Sequence, residues 1–183
     1  MSAHSLLASL PNLISLGRLI LVPVIIALII EPAWELAFIL FLVAGVSDAV
    51  DGWLAKRFNL QSELGSYLDP LADKALLVSI YVSLAIVGVL PAALAICVVS
   101  RDVLIVSAVL FSRVMDKPIA IRPLLVSKLN TVAQIVFATL LLAAKAFAMT
   151  PGLWAIIGAY IVAVLTLVSA AAYLAQWLRH MDI

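Results

Sequence analysis

The sequence predicts an all-α integral membrane protein: a six-transmembrane-helix bundle with both termini cytoplasmic. Three observations predict it. The 183 residues are 66% hydrophobic and 11% charged, whereas soluble domains are about a quarter charged. The mean hydropathy is +1.26. The apolar stretches run close to the roughly twenty residues that a helix needs to cross a bilayer. Six such spans use up the chain, so residues 1–183 read as one membrane domain with no second, soluble one. A net charge of +1 argues against a nucleic-acid partner. The single cysteine, Cys97, excludes an internal disulfide and lies in an apolar run, where it reads as a small packing residue. His4 and His180 lie near opposite ends with no ligand spacing around them.

The elements follow in order. The first ten residues hold no Lys or Arg, and no small-residue cleavage site follows the first apolar run, which argues against a cleaved signal peptide. Residues 1–11 read as a short interfacial segment ending at Pro11, and span one as residues 12–30, closed by Glu31-Pro32. Pro23 lies inside that span, which neighbouring helices tolerate. Span two covers 33–56 and carries Asp48 and Asp51 near its end. A polar loop leads to span three, 65–89, with Pro70 in its first turns, where a missing N–H costs least. The turn Leu90-Pro91 opens span four, 92–114, and a basic loop precedes span five, 124–147. Thr150-Pro151-Gly152 turns the chain into span six, 153–178. Arg18, Lys56, Arg57, Arg113, Lys117, Arg122, Lys128 and Arg179 fall on one side and only Lys145 on the other. Lys and Arg collect in cytoplasmic loops, which sets both termini in the cytoplasm.

Four of the ten acidic residues are Asp48, Asp51, Asp69 and Asp73. Carboxylates inside membrane helices are costly and by default functional. Spacings of three and four residues put each pair on one helical face. A short loop makes the two helices antiparallel neighbours, so the carboxylates can converge near the cytoplasmic surface. Four like charges need cations, and an all-oxygen donor set favours hard divalent ions over zinc. A pair of Mg²⁺ or Mn²⁺ ions suits phosphoryl-type transfer. Two other readings stand beside this one. The acids can pair with Lys56, Arg57, Lys74 or Arg101, or they can line an ion or proton path, making the protein a transporter.

The complete spacing, D-x2-D-G-x2-A-x9-G-x3-D-x3-D, is met by Asp48, Asp51, Gly52, Ala55, Gly65, Asp69 and Asp73. It resembles the signature of the CDP-alcohol phosphotransferase (CDP-alcohol phosphatidyltransferase) family. One position departs from it: the Arg usual after the Ala is Lys56 here, followed by Arg57. Lys offers a point charge rather than a bidentate fork. The resemblance implies a six-helix membrane fold, a homodimer, and a polar cavity open to the cytoplasm. It implies that Asp48, Asp51, Asp69 and Asp73 ligate two divalent cations that hold the diphosphate of CDP-diacylglycerol. Asp73 would take the proton of the acceptor hydroxyl, and Gly52, Ala55, Lys56 and Gly65 would line the CDP site.

The flanks narrow the branch. Pro11-Asn12-Leu13-Ile14-Ser15-Leu16-Gly17-Arg18 is similar to the first helix of the phosphatidylglycerophosphate synthase and cardiolipin synthase branches. There Asn12 and Ser15 join the CDP site. Leu68 to Lys74, Ser100 to Val103, and Ser127 to Thr131 with Gln134 look like the eukaryotic-type cardiolipin synthase branch. Arg101, Lys128, Thr131, Arg113 and Arg122 are then candidates for binding an anionic acceptor, with Lys128, Thr131 and Gln134 on one face of span five. For Arg101 a pairing with Asp102 or Asp48 is the alternative, and the basic rim also serves as the orientation signal. The expected reaction moves the phosphatidyl group of CDP-diacylglycerol to phosphatidylglycerol, giving cardiolipin and CMP. The alternative acceptor is glycerol 3-phosphate. The compact chain, without an evident transit segment, points to a bacterial plasma membrane with the site facing the cytoplasm.

Overall fold

The computed structural model describes residues 3–58, 63–114 and 124–181, with side chains at 13–50, 52, 71–108, 112 and 124–179. Its six helices are α1 (Ala3–Ile30), α2 (Trp34–Phe58), α3 (Glu63–Ile86), α4 (Ala92–Val114), α5 (Leu125–Ala146) and α6 (Leu153–Met181). There is no strand among the described residues.

Three sequence boundaries are corrected. α1 runs through Pro11 without a break, so no separate segment ends there. A proline removes only one helical hydrogen bond, and the residues on both sides of Pro11 are helix-compatible. α3 starts at Glu63, two residues before the expected Gly65, which puts Pro70 beyond its first turn. α3 also stops at Ile86 rather than near Val89. The stop is a Schellman turn. Gly88 has φ +74, Val89 N–H donates to Leu84 O at 2.9 Å, and Gly88 N–H donates to Ala85 O at 3.1 Å. α5 ends the same way, with Met149 N–H donating to Ala144 O at 2.7 Å and Ala148 N–H to Lys145 O at 3.2 Å. Here the left-handed position holds Ala148, at φ 51, where a glycine would be unstrained.

α3 is the centre of the bundle, packed on α1, α4 and α5. Its Ile80, Tyr81 and Leu84 are fully buried, and the Tyr81 hydroxyl donates to Gln134 O on α5 at 3.0 Å. α1 lies against α2 and α3, while α6 lies against α4 and α5. α6 approaches α5 closely at Gly158, where a Cβ would stand 2.6 Å from the Phe137 ring. Small residues at such crossings let membrane helices pack by van der Waals contact, since lipid offers no hydrophobic drive between helices.

The outer faces carry large apolar side chains such as Ile20, Ile86, Ile96, Tyr160 and Leu167. Among the described residues, Leu13–Ile30, Leu125–Ala146 and Leu153–Arg179 are long and apolar enough to cross a membrane. The protein is an integral membrane protein. α1 to α5 carry the acidic and basic residues considered next.

Candidate active site

α1 presents Ser15, Arg18, Val22, Ile25 and Ile29 on one buried stripe. The steps of three and four residues are those of a helix face turned to the core. Arg18 occupies a core position on that stripe, and its side chain is 1% exposed. A guanidinium so deep requires partners. Its Nη1 lies 2.7 Å from Asp48 Oδ1 on α2 and also donates to Asp73 Oδ1 on α3. Three helices therefore meet at one cation. The Asp48 and Asp73 side chains remain 40% and 47% exposed, so one side of each carboxylate opens onto a cavity.

The cavity measures about 410 Å³, within the usual range for ligand pockets. Arg18, Asp48, Asp73, Lys74 and Thr131 form its polar walls, over an apolar floor of Phe41, Ala44, Leu76 and Leu77. Gly45 lines it as well, one turn before Asp48. A Cβ placed at Gly45 or Gly52 would meet no heavy atom within 4 Å among the described residues. A larger cavity, about 650 Å³, lies between α4, α5 and α6 and is lined by Leu94, Cys97, Phe137 and Tyr160 among others. No charged residue lines it among the described residues, whereas Arg18, Asp48, Asp73 and Lys74 line the smaller one.

Next to the cavity lies a second polar cluster. Arg101 is buried, with Nη1 donating to Asp102 Oδ1 at 2.6 Å. Its Nε and Nη2 donate to Ser169 Oγ on α6 at 3.2 and 2.9 Å, and Nη2 also donates to Ser127 Oγ on α5. The guanidinium stands 5.7 Å from the centre of the Tyr173 ring. Lys74 Nζ donates to the same Asp102 Oδ1 at 2.5 Å. The Arg101–Asp102 pairing considered from the sequence is present, and Arg101 does not line the cavity that holds Asp48 and Asp73.

α5 divides its residues differently from the expected single face. Thr131 and Ile135 line the cavity. Lys128 is exposed and Gln134 is buried against α6. Gln134 Nε2 donates to Thr166 Oγ1 at 3.2 Å, which donates to Asn130 Oδ1 at 2.9 Å. Residues three apart differ by about 60° around a helix, enough to send Lys128, Thr131 and Gln134 to three environments. The candidates Asp51, Asp69, Asn12, Ala55, Lys56, Gly65, Arg113 and Arg122 lie outside the residues whose side chains are described. Ser15 is fully buried on the α1 stripe.

Residues 8–175 match the family described as CDP-alcohol phosphatidyltransferase. The chain belongs to the CDP-alcohol phosphatidyltransferase family. It is similar to a human cardiolipin synthase (CMP-forming), 36% identical over 155 residues, covering 76% of this chain and 52% of that protein. It is also similar to the CDP-diacylglycerol–glycerol-3-phosphate 3-phosphatidyltransferase of Bacillus subtilis, 31% identical over 149 residues, covering 73% of this chain and 76% of that one. A chloroplastic enzyme of the latter name from rice is 34% identical over 144 residues, covering 69% of this chain and 44% of that one. The chain spans about half the length of the human relative.

The family's signature thus lies on the end of α2 and the start of α3, and its first and last aspartates meet at Arg18. Arg18, which shares the three-residue spacing of the first-helix pattern with Asn12 and Ser15, lines the cavity, and its two aspartate partners are not readable from spacing. Lys74, a pairing partner within the Leu68 to Lys74 match, pairs with Asp102 and also lines the cavity. A basic residue inside an apolar span was the available signal for both.

Proposed function

We propose that this protein transfers the phosphatidyl group of CDP-diacylglycerol to the hydroxyl of phosphatidylglycerol, releasing CMP and forming cardiolipin. The observation that carries the reading is the convergence of Asp48 and Asp73, from two helices, on one cation in one cavity. The acceptor hydroxyl enters beside Asp73, whose carboxylate takes its proton. The acceptor oxygen bonds to the phosphorus that bears diacylglycerol, and the bond from that phosphorus to CMP breaks. Positioning and charge stabilisation dominate such displacements. The apolar floor of Phe41, Leu76 and Leu77 suits the glycerol and acyl end of a lipid.

The donor chemistry fits divalent cations. Asp48 and Asp73 already share a positive partner, and both supply only oxygen. Asp48, Asp51, Asp69 and Asp73 would hold two such ions, Mg²⁺ or Mn²⁺. When bound, they would supply charge to the diphosphate and to the departing CMP. Gly52, Ala55, Lys56, Gly65, Asn12 and Ser15 line the CDP side in this reading. All six helices cross the membrane, with both termini and the site on the cytoplasmic side. The single domain works as a homodimer in a bacterial plasma membrane.

A second acceptor, glycerol 3-phosphate, is favoured by one observation: the Bacillus relative is matched over three quarters of its length. Purified protein in mixed micelles with CDP-diacylglycerol and Mn²⁺, offered each acceptor separately, decides. Cardiolipin formed only from phosphatidylglycerol supports the first reading. Phosphatidylglycerophosphate formed instead selects the second. Ion flux in vesicles without CMP release from either acceptor would sink both and restore the transport reading.

A further inference from the structure

We infer that Lys74 is the residue that binds the phosphate of the acceptor, which makes it a specificity determinant for a glycerol phosphoryl group. The inference rests on the transfer reading above and adds a site residue to it.

Asp102 Oδ1 accepts from both Lys74 and Arg101. One carboxylate against two cations leaves one positive charge. Arg101 is not the source of the surplus, since its side chain is 2% exposed and already donates to Asp102, Ser127 and Ser169 beneath Tyr173. Lys74 is different: its side chain is 42% exposed and lines the reaction cavity. An ammonium has three donors, and Asp102 takes one. The surplus charge therefore faces the cavity.

Among the described residues, Asp48 and Asp73 against Arg18 leave one negative charge. The cavity they line is thus polarised, acidic at Asp48 and Asp73 and basic at Lys74, and Thr131 lines it too. A neutral alcohol has no use for the basic wall. A glycerol phosphoryl group has, because three carbons separate its terminal hydroxyl from its phosphate. The hydroxyl goes to Asp73 and the phosphate to Lys74, the next residue along α3. Phosphatidylglycerol and glycerol 3-phosphate share this group, one in a lipid headgroup and one free. Asp102, buried in the helix bundle, fixes the ammonium without exposing its own charge to the ligand.

The test compares wild type with Lys74→Met and Lys74→Arg in micelles holding Mn²⁺ and CDP-diacylglycerol. One arm varies phosphatidylglycerol and the other glycerol 3-phosphate. Lys74→Met should raise the acceptor KM about tenfold to a hundredfold in whichever arm the wild type uses, as expected for losing a charge-assisted contact. The KM for CDP-diacylglycerol should change by less than about twofold. Lys74→Arg should recover most of the loss. An unchanged acceptor KM, or a rise confined to CDP-diacylglycerol, overturns the inference. A second measurement needs no variant: acetylation of Lys74 in the wild-type protein, read by mass spectrometry. The acceptor used should protect Lys74 and neutral glycerol should not; equal labelling with and without it refutes the assignment. Wild-type protein that releases no CMP in either arm sinks the transfer reading itself. CMP release with no Lys74 effect sinks only this inference.

Discussion

Arg18 Nη1 stands 2.7 Å from Asp48 Oδ1, joining the core stripe of α1 to the first aspartate of the signature on α2. The same nitrogen donates to Asp73 on α3. One side chain thus sets the spacing of the two carboxylates and closes one wall of the cavity.

Replacing Arg18 should therefore damage both fold and site. Arg18→Met keeps the volume but leaves both half-exposed carboxylates without this partner. Losing hydrogen bonds to charged groups costs about 1–3 kcal/mol. A lower unfolding temperature in detergent and at least a tenfold loss of CMP release are expected. Arg18→Lys should recover only part, because an ammonium carries three donors where the guanidinium carries five. Unchanged activity in Arg18→Met would remove Arg18 from the site.

Asp73→Asn keeps shape and removes the proton acceptor. CMP release should fall by about 10²- to 10⁴-fold, the usual worth of a general base. Asp69→Asn should abolish transfer and weaken Mn²⁺ binding, measured by the paramagnetic signal of free Mn²⁺. Full activity in Asp69→Asn would refute a four-carboxylate centre.

Chelation should stop CMP release, and Mg²⁺ or Mn²⁺ should restore it. Zn²⁺ should restore it poorly, since the donor set offers neither His nor Cys. Activity that survives exhaustive chelation would exclude a metal-dependent mechanism.

Arg101 gives a sharper separation of roles. It ties α4 to α5 and α6 through Ser127 and Ser169 while pairing with Asp102. Arg101→Gln removes one partner of a buried pair, which costs about 3–5 kcal/mol. The expected result is a large loss of thermal stability, with the acceptor KM of the folded fraction raised less than in Lys74→Met, because Asp102 then neutralises Lys74 alone. A stable variant whose acceptor KM rises as far as in Lys74→Met would make Arg101 an acceptor ligand instead.

Ala148 lies far from the site and holds a left-handed backbone at the end of α5, on the surface. That conformation costs an L-residue about 1–2 kcal/mol. Ala148→Gly should raise the unfolding temperature in detergent by a few degrees, offset in part by the extra freedom of glycine when unfolded. No change in KM is expected. A lower unfolding temperature would show that φ 51 is not strained at this position.

Composition alone determined the membrane class, and the apolar runs determined the six helices to within a few residues at most ends. The spacing of Asp48, Asp51, Gly52, Ala55, Gly65, Asp69 and Asp73 resembles the family's signature, and the match over residues 8–175 shows the family. Helical periodicity fixes which residues share a face. Periodicity does not say which other helix that face meets. Only the tertiary structure set Arg18 between Asp48 and Asp73, turned Arg101 into the bundle, and gave Lys74 to the cavity with Asp102 behind it. It also split Lys128, Thr131 and Gln134 among exposed surface, cavity and helix seam. The reason is physical. A buried charge takes its meaning from the groups packed around it, and those groups come from segments that lie up to 68 residues apart, as Arg101 and Ser169 do.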